Sequence, residues 1–393
     1  MQIGSALDAV NFSVAGAQEG FGPFLGVYLQ QRGLSPATTG LAMGLAGLAG
    51  LLATTPIGAV VDRTTAKRMA LAIAVCGIAV GAVLLVATRS IWVIAIAQGL
   101  IGVADTSIAP LLAALTLGIV GQDAYETRVS RNVAFNHAGN ALNAALSGVL
   151  GYWFGLGFVA IAIGVMAVAS TLAVLAIPAS SIDHEQARGS ADGETAKTTT
   201  WQAMRGSRPL IVLGLAVLLF EVANGAMLPF LAQARTSAGS NPSVATATMT
   251  VITQVTIIGA ALGAAVLARH AGQGRVLAVS LVVVALRGGL AAFGTSWWLI
   301  VPVQVLEGVA TGLASVAIPA LASGIMAGSG HATAGLAGVM TAFGAGAALS
   351  PILAGAVAQW LGFPAAFVTM GVVAAAGAAL WMVAGTRDTR QAA

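Results

Sequence analysis

The chain has 393 residues, 58% of them hydrophobic and only 8% charged, and its mean hydropathy is +0.92. A soluble domain carries roughly 25% charged residues, so this composition excludes a water-soluble enzyme or binding module and describes an integral membrane protein. The net charge of +4 does not point to nucleic acid, because the basic residues flank apolar segments instead of forming a patch. A single cysteine, Cys76, excludes an intrachain disulfide.

A window of about 20 residues, the length of a membrane helix, predicts twelve spans in chain order. Span 1 covers 5–30 and contains Asp8, Asn11, Gln18 and Glu19, without the basic start of a cleaved signal peptide. Spans 2 and 3 cover 36–61 and 69–88. Span 4, 91–119, holds Gln98, Asp105 and Pro110. Span 5, 129–154, carries Asn132, Asn136, Asn140 and Asn143 at spacings of four, four and three, with His137 beside them. Span 6 covers 156–178. Residues 179–208 are polar and mixed in charge, which predicts a solvated linker with at most a short interfacial helix near Trp201 and Met204. Span 7, 209–233, holds Glu221 and Asn224; span 8 is 243–268. Arg287 lies midway along span 9, 275–295, and Gln304, Glu307 and Thr311 lie in span 10, 298–325. Spans 11 and 12 cover 333–357 and 363–385. The expected organisation is an N-terminal half of six spans at 1–178, a cytoplasmic linker at 179–208 and a C-terminal half at 209–393.

With a cytoplasmic N-terminus and twelve spans, thirteen basic residues fall inside, three (Arg32, Arg89 and Arg235) fall outside, and Arg287 lies within a span. That bias sets the orientation and supports an even span count, with both termini cytoplasmic. Trp92, Trp153, Trp297, Trp298, Trp360 and Trp381 lie near span ends and read as interfacial anchors.

The halves repeat each other at an offset near 206 residues. Gly22-Pro23-Phe24-Leu25 recurs as Leu228-Pro229-Phe230-Leu231, Ser35-Pro36 as Asn241-Pro242, and Leu156-Gly157-Phe158 as Leu361-Gly362-Phe363. Gln98-Gly99 and Pro110 are matched to Glu307-Gly308 and Pro319, which places a carboxylate in one half where the other has its amide. Six spans separate the copies, so both halves insert with one orientation, the parallel repeat of transporters with a substrate site between halves.

The loop after span 2 reads Gly58-Ala59-Val60-Val61-Asp62-Arg63-Thr64-Thr65-Ala66-Lys67-Arg68. It resembles the loop signature of the major facilitator superfamily: a Gly, three residues, Asp-Arg, then basic residues. Thr65 and Ala66 depart from that pattern, and the loop after span 8 has no Asp. The resemblance implies an all-α membrane protein with twelve transmembrane helices, two six-helix halves related by a pseudo-two-fold axis, and a cavity lined by spans 1, 4, 7 and 10. It also implies a cytoplasmic latch at Gly58, Asp62 and Arg63, with Gly58 allowing close helix approach. The resemblance to the drug/proton antiporter group is looser. Ala95 stands where its members often carry an arginine, and span 5 has no mid-helix Gly-Pro.

Four carboxylates, Glu19, Asp105, Glu221 and Glu307, fall one each on those four spans. A carboxylate at the bilayer centre costs about 2.5–3.5 kcal/mol by insertion scales, and desolvation lets a carboxyl bind and release a proton near neutral pH. They are the expected proton-coupling residues. Gln18, Gln98, Asn136, Asn140, Asn143, Asn224, Arg287 and Gln304 are the expected cavity residues. Arg287 requires a carboxylate partner: Glu307 first, Glu221 second. Phe21, Phe24 and Phe230 are candidate gates of the outward mouth. No P-loop, catalytic triad or metal cluster occurs, so neither an enzymatic activity nor a cofactor or metal is expected. The expected function is proton-coupled alternating-access transport of a small organic molecule by a monomer in a bacterial-type inner membrane, with efflux of a neutral or cationic compound ahead of import of a metabolite such as an organic acid. A non-transporting membrane sensor is the remaining alternative.

Overall fold

The computed structural model describes residues 3–19, 21–183, 185, 207–326 and 332–385, excepting the side chains at 3, 62, 126 and 332–334. The described residues are nearly all helical and contain no strand. This is what a bilayer requires, since a helix satisfies its backbone hydrogen bonds within one segment. Nine stretches among them are long and apolar enough to cross a membrane, and they cover every span but 1 and 5, the last stretch holding both 11 and 12; the helices give twelve spans in all. Span 1 is broken into Ile3–Gln18 and Gly22–Gln31. Spans 2 and 3 are Pro36–Arg63 and Lys67–Ala87. Ile91–Phe154 holds spans 4 and 5, which meet at Gly121 with φ 72°. Span 6 is Val159–Leu175, and span 7 is broken into Arg208–Asn224 and Met227–Ser237. Spans 8, 9 and 10 are Pro242–Ala271, Gln273–Ala292 and Trp297–Ile325. Ala332–Leu380 holds spans 11 and 12, which meet at Gly362 with φ 85°. Only a residue without Cβ takes that left-handed turn at no steric cost.

The chain divides into two compact units. The first comprises Met1–Arg32, Leu45–Gly193 and Asn241–Val251; the second comprises Gly33–Gly44, Glu194–Ser240 and Ile252–Ala393. In the first unit spans 4 and 5 meet spans 2 and 1 through glycines. A side chain at Gly102 would strike the Ala46 carbonyl, and one at Gly139 would strike that of Phe12. Small residues let backbones touch where lipid gives helices no hydrophobic reason to associate. Arg32 ties down the end of span 3, donating to the carbonyls of Leu85 and Val86 and to that of Thr88. Arg68 does the same for span 6 at Ile177. The start of the linker is fixed by Asp183 N–H donating to Gly118 at 2.8 Å, while the proposed interfacial helix at Trp201 and Met204 lies outside the described residues.

In the second unit the same crossing recurs between spans 8 and 10. A side chain at Gly308 would strike Thr256 and lie 2.8 Å from the Thr253 carbonyl. Gly50 and Gly102 of the first unit map onto Thr256 and Gly308 at an offset of 206, and nothing lies within 4 Å of a side chain placed at Gly99. This corrects the expected pairing of Gly99 with Gly308. Backbone crossing, not the Gln-Gly and Glu-Gly dipeptides, sets the register, so Gln98 corresponds to Gln304 and Glu307 to Ile101. Three further expectations fail. Trp381 is 1% exposed and its Nε1 donates to the Gly274 carbonyl at 2.8 Å, so it is core and not an interfacial anchor. Phe230 is fully buried, 6.5 Å from Phe363, and does not line a mouth. Nothing among the described residues lies within 4 Å of a side chain built at Gly58, so close helix approach is not its role here.

Candidate functional site

The second unit contains a buried polar network built on four spans. Span 9 delivers Arg287 from a helix whose other neighbours are Val, Leu, Ala and Gly, and the side chain is 0% exposed. Its Nη2 donates to Glu307 Oε2 at 2.6 Å and its Nη1 to Asn224 Oδ1 at 2.8 Å. The structure therefore joins Arg287 to the partner expected first. Thr253 of span 8 donates to Gln304 Oε1 at 2.9 Å and approaches Glu307 Oε2 at 3.3 Å. Asn224 donates in turn to Thr311 at 3.3 Å. Glu221, one turn before Asn224, lies within electrostatic range of Arg287. Arg287 Nε and Gln304 Nε2 are buried without a hydrogen-bond partner among the described residues.

Span 7 breaks directly beyond Glu221 and Asn224. Ser350 of span 11 inserts its hydroxyl where the helix ladder would close. Its oxygen accepts from Ala226 N–H at 2.9 Å and donates to the Val222 carbonyl at 2.8 Å. A side chain inserted into the i→i−4 ladder is a recognised cause of helix breaks, and interrupted helices mark binding sites in many transporters. The sequence reading missed Ser350. A Pro preceded by a hydroxyl residue in a span facing span 7 was the available signal.

In the first unit Gln18 hydrogen-bonds Asp105, joining spans 1 and 4. Gln98 is buried at 3% exposure. Along span 5, Asn140 donates to Asn136 at 3.4 Å, and the Oδ1 atoms of Asn140 and Asn143 are buried without a hydrogen-bond partner among the described residues. Glu19 corrects an expectation: it sits in the bend that breaks span 1 and is exposed, not buried among apolar side chains. The break removes it from the helix, and the tight Gly22 N–H to Glu19 carbonyl bond at 3.2 Å turns the chain there.

A second ionic group was not foreseen. Asp8 bridges Arg128 and Arg131, each at 2.7 Å. Asn132 accepts from Arg128 at 2.8 Å and donates to Thr116 at 3.0 Å, so this asparagine belongs to the Asp8 group instead of the ladder above it. In the sequence, Arg128 and Arg131 read only as orientation signals. In the loop after span 2, Lys67 is 1% exposed with Nζ on the Val61 carbonyl at 2.7 Å, and Arg63 is exposed. The Asp62 side chain lies outside those described. Among the described residues no group of three or more His, Cys, Asp or Glu could hold a metal ion.

Comparison with known proteins agrees with this architecture. The family described as MFS_1 like family matches residues 6–369. Two MFS-type transporters from two strains of Mycobacterium tuberculosis are each 37% identical over 390 residues, covering 98% of this chain and 93% of the relative. Among solved structures, the nucleoside transporter NupG in a mutant form aligns with TM-score 0.83 at 15% identity, covering 97% of this chain and 99% of NupG. A bacterial homologue of the human lysosomal transporter Spinster, in an inward-facing, unoccupied conformation, aligns with TM-score 0.73 at 14% identity, covering 98% and 96%. The twelve spans, the repeated glycine crossings and a family match over nearly the whole length lead to one assignment: the chain belongs to the MFS_1 like family and is a multi-pass transporter of the major facilitator superfamily.

Proposed function

We propose that this transporter is proton-coupled and exports a small neutral or cationic organic compound by alternating access across a bacterial-type inner membrane, as a monomer with both termini cytoplasmic. The observation that carries the charge preference is the closure of Arg287, whose guanidinium is fully buried and held by Glu307 at 2.6 Å. An anionic substrate would have to displace a carboxylate already in contact. Asp105 has an amide, Gln18, as its partner. An amide orients a carboxylate without neutralising it, which leaves a group able to exchange a proton. Asp105, Glu19 and one member of the pair Glu221 and Glu307 are the coupling groups in this reading. Gln18, Gln98, Asn136, Asn140 and Asn143 of the first unit, and Asn224 and Gln304 of the second, offer donors and acceptors to an uncharged polar substrate, with Arg287 held on Asn224. Asp62 and Arg63, in the segment that follows Gly58, form the cytoplasmic latch. Export in preference to import rests on the likeness of the carboxylates on spans 1 and 4 to those of drug/proton antiporters.

A second reading is proton symport of a neutral polar metabolite. It is supported by the buried amide oxygens of Asn140 and Asn143, which have no partner among the described residues and suit hydroxyl or amine donors. The fold it shares with NupG, which is named a nucleoside transporter, is compatible with that substrate class. The test uses everted and right-side-out vesicles under an imposed proton gradient, with compounds chosen by thermal shift. Asp105→Asn and Glu19→Gln lose gradient-driven accumulation while expression is kept. Full uphill transport by both variants refutes the coupling assignment, and accumulation only in right-side-out vesicles selects symport.

A further inference from the structure

The polar network of the second unit leaves donors over. Glu307 Oε2 takes Arg287 Nη2 at 2.6 Å, Asn224 Oδ1 takes Arg287 Nη1 at 2.8 Å, and Gln304 Oε1 takes the Thr253 hydroxyl at 2.9 Å. Asn224 passes its own donor on to Thr311 at 3.3 Å. Two donors remain, Gln304 Nε2 and Arg287 Nε, both buried with no hydrogen-bond partner among the described residues. Their side chains belong to residues that are 0% exposed. A buried N–H without an acceptor is costly, so a group of this kind in a transporter points to a ligand that supplies the acceptor. Through Asn224, the last residue of Arg208–Asn224, the network adjoins the break in span 7.

One hydrogen decides which end of the Gln304 amide is held. The Thr253 hydroxyl has a single proton and two oxygens in reach, Gln304 Oε1 at 2.9 Å and Glu307 Oε2 at 3.3 Å. Arg287 already serves Glu307 Oε2 at 2.6 Å, so the hydroxyl proton goes to the nearer amide oxygen. The oxygen end of Gln304 is thereby used, and its nitrogen end is the one on offer. The network has no surplus positive charge for an anion, because Arg287 is matched by Glu307 and has Glu221 in electrostatic range as well. An ammonium group would meet N–H groups at Gln304 instead of an oxygen. A neutral acceptor is the chemistry that fits.

We propose that Gln304 is a specificity-determining residue, whose Nε2 donates to a neutral carbonyl oxygen of the substrate, and that Thr253 is the positioning residue that keeps the amide in that orientation. The proposal rests on the transport reading above and narrows its substrate class to neutral compounds that carry a carbonyl acceptor. Thr253 acts only through Gln304: its hydroxyl fixes which end of an otherwise reversible amide faces the ligand.

The probes are N-methyl-2-piperidone, which has a carbonyl and no N–H, and piperidine, which has no carbonyl. Thermal melting of the purified full chain in detergent, at graded probe concentrations and constant pH, gives the affinity for each. The lactam raises the melting temperature of the parent chain and piperidine does not. Gln304→Met keeps the bulk, removes the donor and weakens lactam binding about tenfold. Thr253→Val keeps the shape but frees the amide to turn, so the preference between the probes is lost. Thr253→Ser retains the hydroxyl and keeps the preference. Loss of a merely structural bond weakens both probes alike and leaves the preference in place, so the two Thr253 variants decide the matter even if Gln304→Met does not fold. No shift by the lactam, equal shifts by both probes in the parent chain, or an unchanged preference in Thr253→Val overturns the proposal. Full lactam affinity in Gln304→Met, the result when the donor serves a bound water only, overturns it too. Binding at constant pH involves no gradient, so these failures are separate from a failure of gradient-driven transport in vesicles.

Discussion

Truncating Glu307 to Ala removes the oxygen 2.6 Å from Arg287 and leaves a guanidinium at 0% exposure with Asn224, 2.8 Å away, as its remaining hydrogen-bond partner among the described residues, and with Glu221 in electrostatic range. A guanidinium does not lose its proton inside a protein. The cost is that of an uncompensated buried charge, about 3–5 kcal/mol. Arg287→Ala instead leaves carboxyl groups, which can neutralise themselves by binding a proton, so it costs less, and its cost shrinks as the pH falls. Removing both side chains leaves a void and takes one partner each from Asn224 and Thr253, which keep Thr311 and Gln304, but strands no cation. The double variant is therefore less damaged than the sum of the singles, with a coupling of about 1–3 kcal/mol. Denaturant unfolding of purified protein in mild detergent, followed by circular dichroism, measures all four corners of this cycle. Coupling below about 0.5 kcal/mol, or an Arg287→Ala loss larger than that of Glu307→Ala, refutes the reasoning.

Four other outcomes are expected. Gly102→Ala drives a methyl into the Ala46 carbonyl and destabilises by about 1–3 kcal/mol, whereas Gly99→Ala has open space and melts like the parent chain; equal melting of the two refutes the register assigned to the repeat. Ser350→Ala strips the partner from Ala226 N–H and the Val222 carbonyl and speeds hydrogen exchange in the 222–230 peptide, while unchanged exchange means the break does not depend on it. Asp8→Asn releases Arg128, whose side chain is 10% exposed, as well as Arg131 at 60%, so it lowers the melting temperature more than Arg131→Gln does, and the reverse order rules out Arg128 as the principal partner. Asp62→Asn raises labelling of inner-cavity cysteines in a Cys76-free background by weakening cytoplasmic closure; unchanged labelling leaves the loop as an orientation signal.

Some of the site was legible in the sequence because the bilayer makes polar residues conspicuous. Arg287 is the one lysine or arginine midway along a predicted span, and the cost of leaving it alone was enough to name Glu307 as its partner. The same logic failed for Glu19, because hydropathy does not register a helix break: the residues around it are apolar whether or not the backbone continues. It failed for Asp8 because its partners are 120 and 123 residues away and read locally as loop charges. It failed for the repeat register because Gly is so frequent that a dipeptide match three residues out of step looks as good as the correct one.

By itself the sequence determined the span count, the parallel repeat and the family. These depend on segment length, apolar content and short motifs, all of which survive without knowing any contact. Only the tertiary structure decided that Lys67 and Trp381 are buried, that Gly102 and Gly308 are the equivalent crossings, that Ser350 holds span 7 open, and that Arg287 is spent on Glu307. Those outcomes depend on which faces of which helices meet. In a chain of uniformly apolar helices, helix faces are chosen by close packing of small residues and by the few polar groups that must find one another, and neither leaves a period in the sequence.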